Sequence, residues 1–299
     1  MVSRMILTLV CTATLAGCSN GPAPADPSRL MVVTSFYPLA FVAERIGGPC
    51  VDVIDLTPPG VEPHDLELTP DGVEAIATAD LVLYLGGGFQ PAVQDALSEA
   101  SGRTVDVLGA VRTLPGSEAL EGAPAIDPHV WLDPRRFAAI VRTIGRAITS
   151  AGVAEDCGVA GRTSDLGDRL EQLDRSYRDG LASCELDVIV TSHAAFGYLA
   201  DEYGLRQEAI AGLEPDTEPD PQKLAEIAAL VRREHVTVIF TEELVSPDVA
   251  ETLARETGAR TEVLATIEGL TSDEEAAGQD YLTLMEENLD TLRSALGCS

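Results

Sequence analysis

The chain has 299 residues, enough for one large or two ordinary domains, and its 45% hydrophobic content is that of a globular protein. Its formal net charge of −29 argues against a nucleic-acid partner, which needs basic surface. So acidic a surface attracts cations weakly, and its first effect is solubility.

The N-terminus, "MVSRMILTLVCTATLAGCSN", has Arg4 ahead of a short apolar run over residues 5–17. That run is too short to span a bilayer and suits a secretory signal. The stretch "LAGC" resembles a bacterial lipobox, so residues 1–17 are expected to be a lipoprotein signal peptide and Cys18 the lipidated first residue of the mature chain. Residues 18–29, polar and Pro-rich, read as a flexible tether.

Short β-rich runs follow, alternating with helical patterns. They are "LMVVTSF" (30–36), "VDVIDL" (51–56), "LVLYLG" (81–86), "TVDV" (104–107), "DVIVTS" (187–192), "TVIFTE" (237–242) and "TEVL" (261–264). Such alternation predicts parallel sheets covered by helices. Thr69-Pro70, Asp133-Pro134 and Ser246-Pro247 each place an N-cap residue before a proline at the first helical position, and Gly258 is a C-terminal stop. Leu166, Leu170, Leu173, Tyr177 and Leu181 recur at spacings of three and four, which predicts one long amphipathic helix in mid-chain. The architecture expected is two parallel-sheet α/β lobes, of four and three strands, joined by that rigid helix. The lobes are 30–156 and 184–299, with 157–183 as the link.

Cys50, Cys157, Cys184 and Cys298 remain once Cys11 leaves with the signal and Cys18 carries lipid. An even number in an oxidising compartment points to disulfides, and no CxxC pair suggests zinc or redox chemistry. Of the three pairings, Cys50–Cys157 and Cys184–Cys298 are favoured, since each joins a strand edge to a helix end within one half.

Only four histidines occur, and three stand in loops at strand ends. His64 lies in "GVEPHDLELTP" (60–70), His129 in "DPHVWLDP" (127–134) and His193 in "IVTSHAAFGYL" (189–199). In open α/β sheets ligands bind outside the carboxyl ends of strands, so the three imidazoles are expected to meet in the inter-lobe cleft. Three neutral imidazoles favour Zn(II) over manganese or calcium. Glu62, Asp65 and Asp127 are candidates to accept the other ring N–H. His235 precedes a strand at its wrong end and reads as structural or exposed. The Gly-rich "LGGGFQPAVQDAL" (85–97) lacks the residues of a phosphate loop and reads as a turn. Trp131 and Phe196 are expected to pack behind the site.

The stretches "GVEPHDLELTP", "DPHVWLDP", "TSHAAFGYLADEYGL" and "EELVSPDVAETLARETGA" together resemble the metal-binding lipoproteins of bacterial ABC transporters for zinc and manganese, over roughly residues 30–297. The resemblance implies metal held in the cleft by His64, His129 and His193, and delivery to an ABC permease. A histidine at 193 points to the zinc type. Where relatives carry an aspartate ligand, "EVLATIEGL" matches it with Ala265, so the fourth ligand is Glu268, Glu242 or water, with Glu268 preferred. The expected protein is a non-enzymatic, monomeric solute-binding protein that captures Zn(II) and is lipid-anchored to the membrane. Competing readings are a manganese-binding member, a zinc hydrolase (three histidines and an open position also suit catalysis, but no HExxH-type base is present) and a surface adhesin or metal store.

Overall fold

The computed structural model describes residues 29–116, 126–215, 217 and 219–299. The expected signal peptide, tether and Cys18 therefore lie outside the described residues, apart from Arg29 at the end of the tether. So does most of the short 114–126 segment. No described helix is long and apolar enough to cross a membrane.

In chain order the first half contains β1 (Leu30–Thr34), α1 (Tyr37–Gly47), β2 (Val51–Asp55), α2 (Pro70–Thr78), β3 (Leu81–Tyr84), α3 (Pro91–Ala96), β4 (Arg103–Asp106) and α4 (Pro134–Ser150). The long helix α5 (Val159–Gly180) follows. The second half contains β5 (Val188–Thr191), α6 (Gly197–Tyr203), β6 (Arg206–Ala209), α7 (Pro221–Arg233), β7 (Val238–Thr241), α8 (Asp248–Thr257), β8 (Arg260–Val263), α9 (Ser272–Ala277) and α10 (Tyr281–Leu296).

Each half builds a four-stranded, all-parallel sheet, in the order β2-β1-β3-β4 and β6-β5-β7-β8. The second sheet thus has one strand more than expected. The extra strand, β6, reads Arg-Gln-Glu-Ala and lies at the sheet edge with its residues exposed or half-buried. A polar edge strand carries no hydrophobic run to announce it. The central strands β5 and β7 are buried throughout, as parallel strands covered on both faces must be.

The helix starts follow from their caps. Thr69 accepts from the Gly72 N–H, and Asp133 Oδ1 from those of Arg135 and Arg136. α8 begins one residue later than its Ser-Pro signal, with Pro247 itself at the N-cap. Gly258 closes α8 in the left-handed conformation, φ 82°.

α5 buries Val159, Leu166, Leu170, Leu173 and Tyr177 against α1, α4 and α10. Full burial of such side chains contributes ~1.5–3 kcal/mol each. One hydrophobic cluster includes Val32 and Leu83 of the first sheet, Tyr177 of α5, and Ile189 and Phe240 of the second. α10 belongs to this shared middle: Tyr177 Oη donates to the Met285 carbonyl at 2.7 Å and Tyr281 Oη to the Trp131 carbonyl at 2.5 Å. The C-terminal segment therefore ties the halves together.

Disulfides join Cys50 to Cys157 and Cys184 to Cys298, across 107 and 114 residues. A loop of ~100 residues gives a stabilisation of ~2–5 kcal/mol on cross-linking. Replacing Cys184 and Cys298 by serine is expected to lower the melting temperature by roughly 5–15 °C while leaving zinc stoichiometry unchanged. Calorimetry beside metal analysis checks this, and loss of zinc binding with unchanged melting would contradict it.

Candidate metal centre

Four segments that follow parallel strands meet at one place. His64 lies in a 3-10 turn, Pro63–Asp65, after β2; His129 follows β4; His193 follows β5; Glu268 follows β8. Two come from each sheet. Relative exposure is 9% for His64, 0% for His129 and His193, and 1% for Glu268.

Each histidine is aimed by a carboxylate. Asp127 Oδ1 accepts from the His129 backbone N–H at 2.9 Å and lies 2.8 Å from its Nδ1. Glu242 does the same for His193, with Oε1 3.1 Å from the backbone N and Oε2 2.6 Å from Nδ1. Glu62 accepts only the backbone N–H of His64, at 3.0 Å, while the ring Nδ1 faces Glu214 Oε2 at 3.2 Å. A carboxylate on Nδ1 makes Nε2 the free lone pair and raises its basicity. Of the expected acids, Asp127 serves the ring, Glu62 serves the main chain, and Asp65 is exposed. Glu242, a candidate fourth ligand, instead orients His193.

The Nε2 atoms turn inward. That of His129 is 3.3 Å from that of His193, and Glu268 Oε1 lies 3.3 Å from His129 Nε2 and 3.7 Å from the Nε2 atoms of His64 and His193. Ligand atoms ~2.0–2.1 Å from a tetrahedral zinc stand ~3.3–3.4 Å apart; these four separations are close to that, and all four donor atoms lie within 4.8 Å of one another. Both Glu268 oxygens and both ring nitrogens of His64 are buried without a hydrogen bond, so Glu214 faces the His64 ring as a neighbouring charge. A buried carboxylate left so is costly unless a cation compensates it. Among the described residues these four form the cluster able to hold a metal.

The titrations follow from the crowding. Burial disfavours charge on His64, but Glu214 and Glu268 outweigh it and push its pKa up to about 10. His129 is raised as well, against its burial, by Asp127 and Glu268. Burial would raise Glu268, yet the imidazoles hold it well below the usual carboxylate range. Burial, then the Glu268 charge, pushes Glu62 to about 8, and burial pushes Glu243 to about 7. Without metal, the cluster is thus a carboxylate inside a partly protonated imidazole cage.

Ala265 is not a vacant ligand position. Its side chain is 5% exposed within the core, and Asn288 of α10 grips its backbone: Oδ1 accepts the Ala265 N–H and Nδ2 donates to its carbonyl, both at 2.8 Å. A carboxylate introduced there would be buried. Trp131 Nε1 donates to the Thr266 carbonyl at 2.8 Å, and Ile267 follows with φ 55°. A β-branched residue in the left-handed region costs ~1–3 kcal/mol and persists only where its surroundings hold it. The carboxylate comes next, from Glu268.

Trp131 packs beside His129, ring centroids 5.2 Å apart, and Phe89 meets His64 edge-on at 4.7 Å. Phe196 is fully buried. Gly87 and Gly88, at φ 78° and 89°, turn the chain after β3 toward Phe89. His235 is exposed in a turn before β7. Sequence reasoning missed Glu214 and Asn288. Asn288 left a readable signal, a lone amide on the apolar stripe of Leu284, Met285, Leu289 and Leu292.

Residues 32–295 match the family model of the periplasmic zinc-uptake complex component A, ZnuA. The chain belongs to this family. It is 35% identical to the high-affinity zinc uptake system protein ZnuA of Bacillus subtilis, over 98% of this chain and 97% of that protein. The Zn(II)-bound ZnuA-like domain of Streptococcus pneumoniae AdcA superposes with a TM-score of 0.77 at 34% identity, over 90% of this chain and 99% of that one. The laminin-binding protein Lmb of Streptococcus agalactiae, described as an adhesin with metal-transporting activity, superposes at 0.81 with 28% identity, over 90% and 99%. The chain is thus an extracytoplasmic solute-binding component of a zinc-uptake system, with a divalent metal as cargo and an ABC transporter as partner, and not an enzyme.

Proposed function

We propose that His64, His129, His193 and Glu268 bind one Zn(II) as four-coordinate cargo, and that the mature protein, a monomer anchored through a lipid on Cys18, passes the ion to the importer's permease. The supporting observation is the spacing of four inward-facing donor atoms around a buried carboxylate without hydrogen bonds. Three neutral imidazoles and one carboxylate leave a bound dication with a local charge of about +1, which the carboxylates behind the rings offset.

Release needs a weaker side, and His64 supplies it. The side chains of Asp127 and Glu242 are 6% and 2% exposed, but that of Glu214 is 42% exposed and reaches His64 from the other half of the chain. Separation of the halves would withdraw Glu214 and loosen His64 first, opening the coordination shell stepwise to water or to an acceptor.

Deleting the gene should give a strain that fails to grow in chelated medium and is rescued by zinc but not by manganese. Rescue by manganese alone, or growth without added metal, would contradict the assignment.

A further inference from the structure

The turn that carries Glu268 is held by residues that touch no metal. Asn288 is 3% exposed, and its bonds to Ala265 satisfy both backbone groups of that residue. One position on, the Thr266 carbonyl takes the indole N–H of Trp131. The Trp131 carbonyl in turn accepts from Tyr281, on the same helix as Asn288. The contacts close a ring: α10 to the 265–266 backbone, that backbone to Trp131, and Trp131 back to α10. Trp131 lies two residues beyond His129, so one brace joins a ligand loop of the first half to one of the second. Between the brace and Glu268 stands Ile267, 2% exposed and left-handed, a conformation that isoleucine leaves unless held.

We propose that Asn288 and Trp131 are positioning residues that force the left-handed turn at Ile267 and so hold the Glu268 carboxylate ready before metal arrives. A buried amide on an apolar helix face is expensive unless its bonds are all made, and here they are spent on the turn rather than on the helix's own packing. The inference rests on Glu268 being a ligand.

A double-mutant cycle on the full chain tests it, with zinc affinity read by chelator competition and folding by melting of the metal-free protein. Asn288→Leu keeps the branched outline while adding bulk, removes both bonds, and should weaken zinc binding by about tenfold or more, as the loss of outer-shell partners does. In a Glu268→Gln background the same change should alter affinity by no more than about twofold, the scatter of independent sites. The Co(II) absorption spectrum of Asn288→Leu should move toward that of Glu268→Gln. Trp131→Phe, which removes the bond to Thr266 together with part of the ring packing against His129 and Phe89, should behave alike and serves if Asn288→Leu does not fold. An equal loss in both backgrounds, or none in either while Glu268→Gln binds weakly, overturns the brace alone. Wild-type affinity in Glu268→Gln overturns the ligand assignment and the brace with it.

Discussion

Replacing His129 by alanine is expected to abolish stoichiometric zinc loading. Its Nε2 lies 3.3 Å from both His193 Nε2 and Glu268 Oε1, and its ring is fully buried. Binding energies of ~10–16 kcal/mol for four-ligand zinc sites amount to ~2.5–4 kcal/mol per ligand, so one ligand is worth on the order of a hundredfold in affinity. Asp127 and Glu268 would also keep their charges in a buried site without the imidazole between them, which should lower the melting temperature of the metal-free variant. Native mass spectrometry of protein given one equivalent of zinc in the presence of a competing chelator should show the metal-free mass for His129→Ala and one bound zinc for wild type. A variant with wild-type loading would remove His129 from the site.

Zinc affinity should fall with pH through the neutral range, not only below the ordinary histidine pKa near ~6.5. Metal binds neutral imidazole. In the metal-free protein, carboxylates hold His64 protonated up to about pH 10, and His129 is raised too. Below that pH the free form carries protons that the zinc-bound form has lost, so binding releases them and weakens as acid is added. One displaced proton gives about tenfold per pH unit, and two give about a hundredfold, so between pH 8 and pH 6 the affinity should drop by ~10²–10⁴. Calorimetry in buffers of different ionisation enthalpy should count at least one proton released at pH 7. A titration flat from pH 8 to 6.5 would mean that His64 is neutral in the empty site. The same shift acts on stability. The folded pKa lies above the unfolded 6.5, so the His64 contribution is full below pH 6.5 and disappears as pH rises toward 10. Metal-free protein should therefore melt lower at pH 9 than at pH 7.

The readable parts of this molecule are those whose chemistry is local. The three histidines stood out because each occupies a loop after a parallel strand, where cleft residues of such sheets must lie. Proline-capped helix starts and the α5 stripe were visible for the same reason. β6 was not, because an edge strand reading Arg-Gln-Glu-Ala needs only backbone partners. Glu268 could be named, but the reason it reaches the cluster could not. That depends on a left-handed isoleucine, which contradicts local preference, and on Asn288, twenty residues later in the chain. Ala265, which the resemblance matches to an aspartate ligand, gives its backbone to the brace and its methyl group to the core. Glu214 sits in an acidic, Pro-rich stretch that carries no periodic signal; only the meeting of the two halves gives it a partner.

X-ray absorption at the zinc edge of the purified, zinc-loaded protein addresses the coordination sphere itself. The geometry predicts four nitrogen or oxygen neighbours at ~2.0–2.1 Å, with the outer-shell scattering of three imidazoles and no sulfur. A shell with a Zn–S distance near ~2.3 Å, or with fewer than two imidazoles, would contradict it.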